Sequence, residues 1–388
     1  MSLMHQEAID FIRSIYGDAD VIGLHEPRFW GNEKSYLNDS IDSTFVSSVG
    51  KYVEQFEKNI CEYSGAKYAV AVVNGTNALQ VALGVCGVKR DDIVITQALS
   101  FVATCNAISY LGAIPLFVDV DKHTMGLSPD SLRDFLKNET VQKEDGFTYH
   151  KELGNRISAC VPMHSFGFIC KIGDIVSLCA EYNITVVEDA AEAVGSTMNG
   201  KRAGTYGKCG IYSFNGNKII TSGGGGMVLT DDSVLAEQVK HLTTVAKIPH
   251  AWKFEHDEIG YNFRMPNINA ALACAQLEQL DHFLEAKRAL SMEYQEFFSG
   301  FEDVTYVNEP EGVVSNYWLN SILFNETAEK EAFLTFTNER GIMTRPVWEL
   351  LSALRMYKTC PSYGLDNSKW ISERLVSLPS TVPNKSKN

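Results

Sequence analysis

Between about residues 68 and 230, short apolar runs alternate with helix-like stretches, and this alternation limits the chain to few folds. The runs are Ala69–Val73, Ile93–Thr96, Pro115–Asp119, Ile157–Met163, Ile184–Glu188, Gly210–Phe214 and Gly226–Thr230. Segments such as Ala78–Val85 and Ile172–Tyr182 carry helical spacing between them. Most runs are apolar at successive positions, so both faces of each strand must be buried. That is the signature of a mostly parallel sheet covered by helices on both sides, an α/β architecture. In such sheets ligands sit beyond the carboxyl ends of the strands. The chemically capable residues fall at those ends: Gly75-Thr76-Asn77, Phe101, His164, Glu188-Asp189 and Lys218.

After about residue 250 the texture changes. A helix is expected from Asn267 to Leu284, running on through Phe298. Short strands at Val304–Val307 and Trp318–Phe324 follow, then a helix at Ala328–Arg340 and the segment Thr344-Arg345-Pro346-Val347-Trp348. A chain of 388 residues exceeds what one core usually holds. Two domains are therefore expected: residues 1–250 as a large α/β domain with an N-terminal extension, and residues 251–388 as a smaller C-terminal α+β domain. The net charge of −14 argues against a nucleic-acid partner or an anionic membrane surface. No apolar stretch reaches the roughly 18 residues of a membrane span, and no signal peptide is read at the start. The nine cysteines form no CxxC pair, which fits a reduced, cytoplasmic compartment and gives no reason to expect a metal. The polar tail Pro383–Asn388 is expected to be loose.

Taken singly, each candidate residue has a plain explanation. Asp189 ends a buried run, where a carboxylate can pair with a protonated pyridine nitrogen and improve an electron sink. It also suits the cap of the helix-like Ala190–Ala193. Lys218 follows the run Gly210–Phe214. Its amine can join an aldehyde cofactor and then move a proton, yet most lysines simply face solvent. Gly75-Thr76-Asn77 follows a strand and opens a helix, a ready anion site or an ordinary turn. Ser213 could add a hydroxyl. Phe101 could stack on a flat ring or belong to the core, and His164 could be a satisfied structural group. The run Gly223–Gly226 is not a dinucleotide fingerprint, which would follow the first strand of a βαβ unit; it suits close backbone packing or a bend into the next strand. A lysine, a strand-end aspartate and a phosphate-type turn at one sheet edge together point to pyridoxal 5'-phosphate.

The chain resembles the DegT/DnrJ/StrS family of sugar aminotransferases, nearly end to end. The marks are Phe56-Glu57, Gly75-Thr76-Asn77-Ala78-Leu79, Phe101-Val102-Ala103-Thr104, the block Glu188–Ser196, Ser213-Phe214 with Lys218, Gly260–Met265 and Thr344–Trp348. The resemblance implies a fold-type-I, aspartate aminotransferase-like pyridoxal-phosphate enzyme. By that likeness Lys218 carries the cofactor and Asp189 pairs with its ring nitrogen. Phe101 covers one ring face, and Ala191 lies under the other. Gly75, Thr76, Asn77 and Ser213 hold the phosphate, Glu192 belongs to the cofactor site, and Asn262 reaches the phosphate of a neighbouring subunit in a homodimer.

The segments His25–Glu33 and Asp42–Gly50 resemble a subgroup linked to legionaminic acid and bacillosamine synthesis. They imply transfer of an amino group from glutamate to C4 of a UDP-linked 4-keto-6-deoxy-N-acetylhexosamine. The alternatives are another nucleotide-linked keto sugar, such as GDP-4-keto-6-deoxymannose or a dTDP-keto sugar, and a non-catalytic regulator that keeps the fold. Arg28, His164, Arg264 and Arg345 are the candidate substrate contacts. Two positions depart from the broad family pattern: Gly224 stands where many members have Glu, and Glu192 where many have Gln or His.

Overall fold

The computed structural model describes residues 3–384; the end of the expected loose tail, from Lys385, lies outside them. Its main sheet runs in the order Tyr68–Val72, Gly226–Thr230, Cys209–Ser213, Thr185–Asp189, Arg156–Val161, Ile93–Gln97, Ile114–Val118 and Ser362–Tyr363. Gly226–Thr230 is antiparallel to both its neighbours, and the other pairings along this path are parallel. The small strands Thr140–Gln142 and Thr148–His150 add an antiparallel flap on Arg156–Val161. The strands observed match the seven expected runs to within about two residues at each end. Two apolar cores flank the sheet. Ala71, Ile95 and Leu116 point into one, and Val72, Val94 and Val161 into the other. Burial on both faces is why these runs lack polar alternation.

A second, four-stranded antiparallel sheet pairs Val304–Tyr306, Asn320–Phe324, Leu375–Leu378 and Arg345–Pro346 in that order. The N-terminal helix Leu3–Tyr16 packs here, its Met4, Ala8 and Ile12 joining Leu290, Tyr294 and Phe333. Conversely, the helix Asn267–Leu277 packs into the core of the large sheet through Ala270, Ala271 and Cys274. The chain thus crosses residue 250 in both directions.

The expected helix from Asn267 through Phe298 is interrupted. It ends at Leu277 and restarts at Leu280. At the break the Gln279 N–H turns to the Gln276 carbonyl, at 3.0 Å. The Glu278 carboxylate is held by Tyr36 Oη at 2.6 Å and Asn32 Nδ2 at 2.8 Å. Apolar spacing continues across the break without Gly or Pro, so the sequence gives no local signal for the interruption. The expected strand Trp318–Phe324 begins only at Asn320, because the Trp318 N–H is taken by Asn316 Oδ1 at 2.8 Å.

The glycine run lets two backbones meet. A Cβ on Gly226 would overlap the Asn74 carbonyl group. Gly226 pairs with Val72 across the sheet, directly beside the turn that opens the helix Gly75–Val85. The run thus permits close backbone packing, and Gly223 adds a φ of +77°.

Among the described residues, no helix is long and apolar enough to cross a membrane.

Candidate active site

Four strand ends converge at the carboxyl edge of the large sheet on a cavity of about 300 Å³. The strand Tyr68–Val72 delivers Asn74, Gly75 and Thr76. Thr185–Asp189 delivers Asp189 and, just beyond, Ala191 and Glu192. Cys209–Ser213 delivers Ser213 and, through a turn, Asn215, Asn217 and Lys218. The loop after Ile93–Gln97 supplies Phe101 and Ala103. Trp318 and Trp348 close the cavity from the C-terminal half.

Asp189 is 5% exposed. Thr104 Oγ1 donates to its Oδ2 at 2.8 Å, and the Ala191 N–H donates to its Oδ1 at 3.2 Å. Burial raises its carboxyl above the usual range, while Thr104, Ala191 and the charge of Lys218 oppose that rise. A cation set against it would recover the lost solvation. Lys218 Nζ lies 3.3 Å from Glu192 Oε1 and 4.0 Å from the centre of the Trp318 ring. The indole is fixed in turn, its Nε1 donating to the Asn217 carbonyl at 2.8 Å.

The helix Gly75–Val85 is capped by Asn74, whose Oδ1 accepts the Asn77 N–H at 2.8 Å. The first-turn N–H groups of Gly75 and Thr76 have no acceptor within the helix, and both residues line the cavity together with Ser213. A Cβ on Gly75 would come within 3.0 Å of Ser213 Cβ, so a bare Cα keeps this cradle open. Backbone donors, a helix N-terminus and a hydroxyl form a suitable seat for a phosphate.

Several expected contacts lie elsewhere. Asn77 spends its N–H on the cap and turns its side chain toward Gln80, at 3.5 Å, away from the cavity. His164 is completely buried against Glu188, Nε2 to Oε2 at 2.9 Å. Glu188 also accepts N–H groups from Gly204 at 2.9 Å and Gly207 at 2.6 Å, so this pair pins the following loop, and neither residue lines the cavity. Arg264 is spent on Glu57 at 2.7 Å and the Ala71 carbonyl at 2.9 Å. Arg28 donates to the Val382 carbonyl at 3.0 Å, and Arg345 to Asn338 Oδ1 at 2.6 Å. None of these three arginines lines the cavity. Asn262 is exposed and also outside it.

Buried and hydrogen-bonded, the Arg264–Glu57 pair ties the first strand to the segment after Tyr261. Arg264→Ala leaves Glu57 without its cation. It is expected to lower the unfolding free energy by about 3 kcal/mol, read as a drop in the denaturant midpoint at unchanged slope.

Sequence reasoning missed Asn74, Asn215, Asn217, Trp318 and Trp348 as cavity residues and Thr104 as the group that orients Asp189. It also missed Asn316, whose Nδ2 donates to the carbonyls of Glu192 at 2.8 Å and Val194 at 2.9 Å. Phe166 adopts a left-handed φ of 59°, which sends its N–H to Glu192 Oε2 at 2.9 Å. Its ring stacks on Trp348 with centroids 5.1 Å apart. A strained phenylalanine beside a cavity is a functional signal that only backbone angles reveal.

An amine, a buried carboxylate and helix-terminal N–H groups beside a hydroxyl fit the aldehyde, ring nitrogen and phosphate of pyridoxal phosphate, and the fold is that of a pyridoxal phosphate-dependent aminotransferase. The chain belongs to the DegT/DnrJ/EryC1/StrS aminotransferase family, whose model matches residues 29–387. It is 37% identical over 336 residues to the GDP-perosamine synthase of Escherichia coli O157:H7, covering 87% of each chain. It is 34% identical to a Bacillus subtilis (strain 168) protein named provisionally as the pyridoxal phosphate-dependent aminotransferase EpsN, covering 92% of this chain and 90% of that one. Among solved structures, the aminotransferase TlmJ of Streptoalloteichus hindustanus superimposes with a TM-score of 0.84 at 26% identity, covering 93% of both chains.

Proposed function

We propose that this enzyme moves an amino group from glutamate to C4 of a nucleotide-linked 4-keto-6-deoxy sugar, with a GDP-linked acceptor such as GDP-4-keto-6-deoxymannose as first choice. The observation that carries this reading is the 37% identity to a GDP-perosamine synthase over 87% of both chains. It puts the GDP-linked acceptor ahead of the UDP-linked one expected from two short N-terminal segments, because a likeness across the whole chain samples far more of the site. Those segments keep the UDP-linked N-acetylhexosamine as the second reading.

Pyridoxal phosphate, when bound, supplies an electron sink and a carrier for the amino group. In this reading the N–H groups of Gly75 and Thr76 and the hydroxyl of Ser213 hold its phosphate. Asp189, oriented by Thr104, keeps the ring-nitrogen proton in position. Phe101 and Ala191 confine the ring. Lys218 would anchor the cofactor, and its amine would hold and move a proton at the donor's α-carbon and at the sugar's C4. Trp318 and Trp348 exclude water from the lysine.

A homodimer fits the surface. Trp252, Phe254 and Ile259 are 77%, 79% and 91% exposed, on the loop that leads to Asn262. Three large apolar side chains on one short loop suit a partner better than water, and in this reading Asn262 reaches the partner's cofactor phosphate.

The test is a panel of GDP-, UDP- and dTDP-linked keto sugars incubated with glutamate and cofactor, followed by mass spectrometry. Amination of the GDP-linked 4-keto sugar is expected. Turnover confined to the UDP-linked sugar would promote the second reading, and turnover of a dTDP-3-keto sugar alone would overturn both.

A further inference from the structure

Asn316 is completely buried, and both N–H groups of its side-chain amide have partners. Nδ2 donates to the carbonyls of Glu192 at 2.8 Å and Val194 at 2.9 Å, while Oδ1 accepts the Trp318 N–H at 2.8 Å. The two segments it joins touch one amine. Glu192 Oε1 forms an ion pair with Lys218 Nζ at 3.3 Å, and the centre of the Trp318 ring lies 4.0 Å from the same nitrogen. The indole then returns to the lysine's own segment, its Nε1 donating to the Asn217 carbonyl at 2.8 Å. Asn316, Glu192, Lys218, Asn217 and Trp318 thus close a circuit drawn from three segments far apart in the chain.

Asn316 is held in turn. Its backbone N–H donates to Ser196 Oγ at 3.0 Å, and that hydroxyl donates to the Gly167 carbonyl at 2.6 Å. A Cβ on Gly167 would overlap Asn316 Oδ1, so the bare glycine leaves room for this amide. A side-chain amide donates twice and accepts at its oxygen, which matches the two carbonyls and the one N–H around it.

We propose that Asn316 is a positioning residue for transamination: it fixes the Glu192 segment against Trp318 and thereby holds the Lys218 amine in its reactive place. This rests on the reading of Lys218 as the cofactor-bearing lysine. Asn316 does not line the cavity, and no bond is made or broken at it. Lysine carries its amine on a flexible four-carbon stem, so the groups that flank Nζ decide where it stands. A displacement of about 1 Å, caused from outside the reacting atoms, can cost about 10²-fold in rate.

The experiment compares Asn316→Ala and Asn316→Asp with the unaltered protein. Asn316→Asp conserves volume and keeps an acceptor for the Trp318 N–H, but it removes both donors to the Glu192 segment; it serves if the alanine variant does not fold. Cofactor-free protein is treated with formaldehyde and cyanoborohydride. Methylation of Lys218 is read by peptide mass spectrometry against the exposed Lys34 and Lys358 of the same molecule. Loss of the tether is expected to raise the Lys218 ratio about fivefold, the factor that one lost hydrogen bond gives. In the cofactor-loaded enzyme kcat is expected to fall about 10- to 100-fold, with the KM for glutamate changed much less. An asparagine that only stabilises the fold would lower the denaturant midpoint and leave the ratio and kcat of a folded variant unchanged. An unchanged Lys218 ratio, or an unchanged kcat, in a folded variant would overturn the proposal. Borohydride reduction of the unaltered, cofactor-loaded protein separates the two failures. If Lys218 is tagged while the ratio or kcat does not move, only the role of Asn316 fails; if it is not tagged, the reading of Lys218 fails.

Discussion

Lys218→Ala is expected to abolish transamination, with kcat falling by about 10⁴-fold or more, and to remove the visible absorbance of lysine-linked cofactor. Among the described residues Lys218 is the only one lining the cavity that carries an amine, so no described neighbour can replace it as anchor or as proton carrier. The fold should survive. The deleted side chain sits between Trp318 and Glu192, and the stranded Glu192 carboxyl can take up a proton, as its burial already favours. Circular dichroism should match the unaltered protein while turnover and colour are both lost. Retained turnover in the folded variant would end the assignment of this lysine.

Asp189→Asn carries the second-largest expected effect. The substitution conserves volume, and Thr104 Oγ1 can still donate to an amide oxygen at the place of Oδ2. What is lost is a negative charge in a buried site, where it is worth far more than in water. In the proposed arrangement the ring-nitrogen proton would lose its partner, and carbanion stabilisation would weaken. A fall in kcat of about 10²–10³-fold is expected, with a smaller loss of cofactor affinity, because the proposed phosphate donors at Gly75, Thr76 and Ser213 are untouched. Steady-state kinetics with cofactor titration separates the two. An unchanged kcat would remove Asp189 from the chemistry.

The buried strands were legible because each lies in a continuous apolar run, and burial on both faces writes itself directly into sequence. The convergence of strand-end residues on one cavity was legible for a related reason. Asp189, Ser213 and Gly75 sit within two or three residues of such runs, so topology alone carries them to one edge. Polar contacts between distant segments left no such trace. Arg264, Arg28, Arg345 and His164 were plausible substrate contacts as residue types, but Glu57, Val382, Asn338 and Glu188 already occupy them. The broken helix at Glu278 is a similar case, with Asn32 and Tyr36 meeting its carboxylate from far away in the chain.

From its order of residues alone this chain declared a covered parallel sheet, a lysine and an acid at the sheet's ligand edge, and a kinship strong enough to name a cofactor. Those features are local: a run, a turn, a spacing. The folded molecule had to decide which polar groups remain free for chemistry, that Trp318 and Trp348 close the cavity, and that Glu192 meets Lys218 while Phe166 holds it. Such outcomes depend on which side chains claim each other's hydrogen bonds across tens or hundreds of residues, and that competition is resolved only when the segments pack.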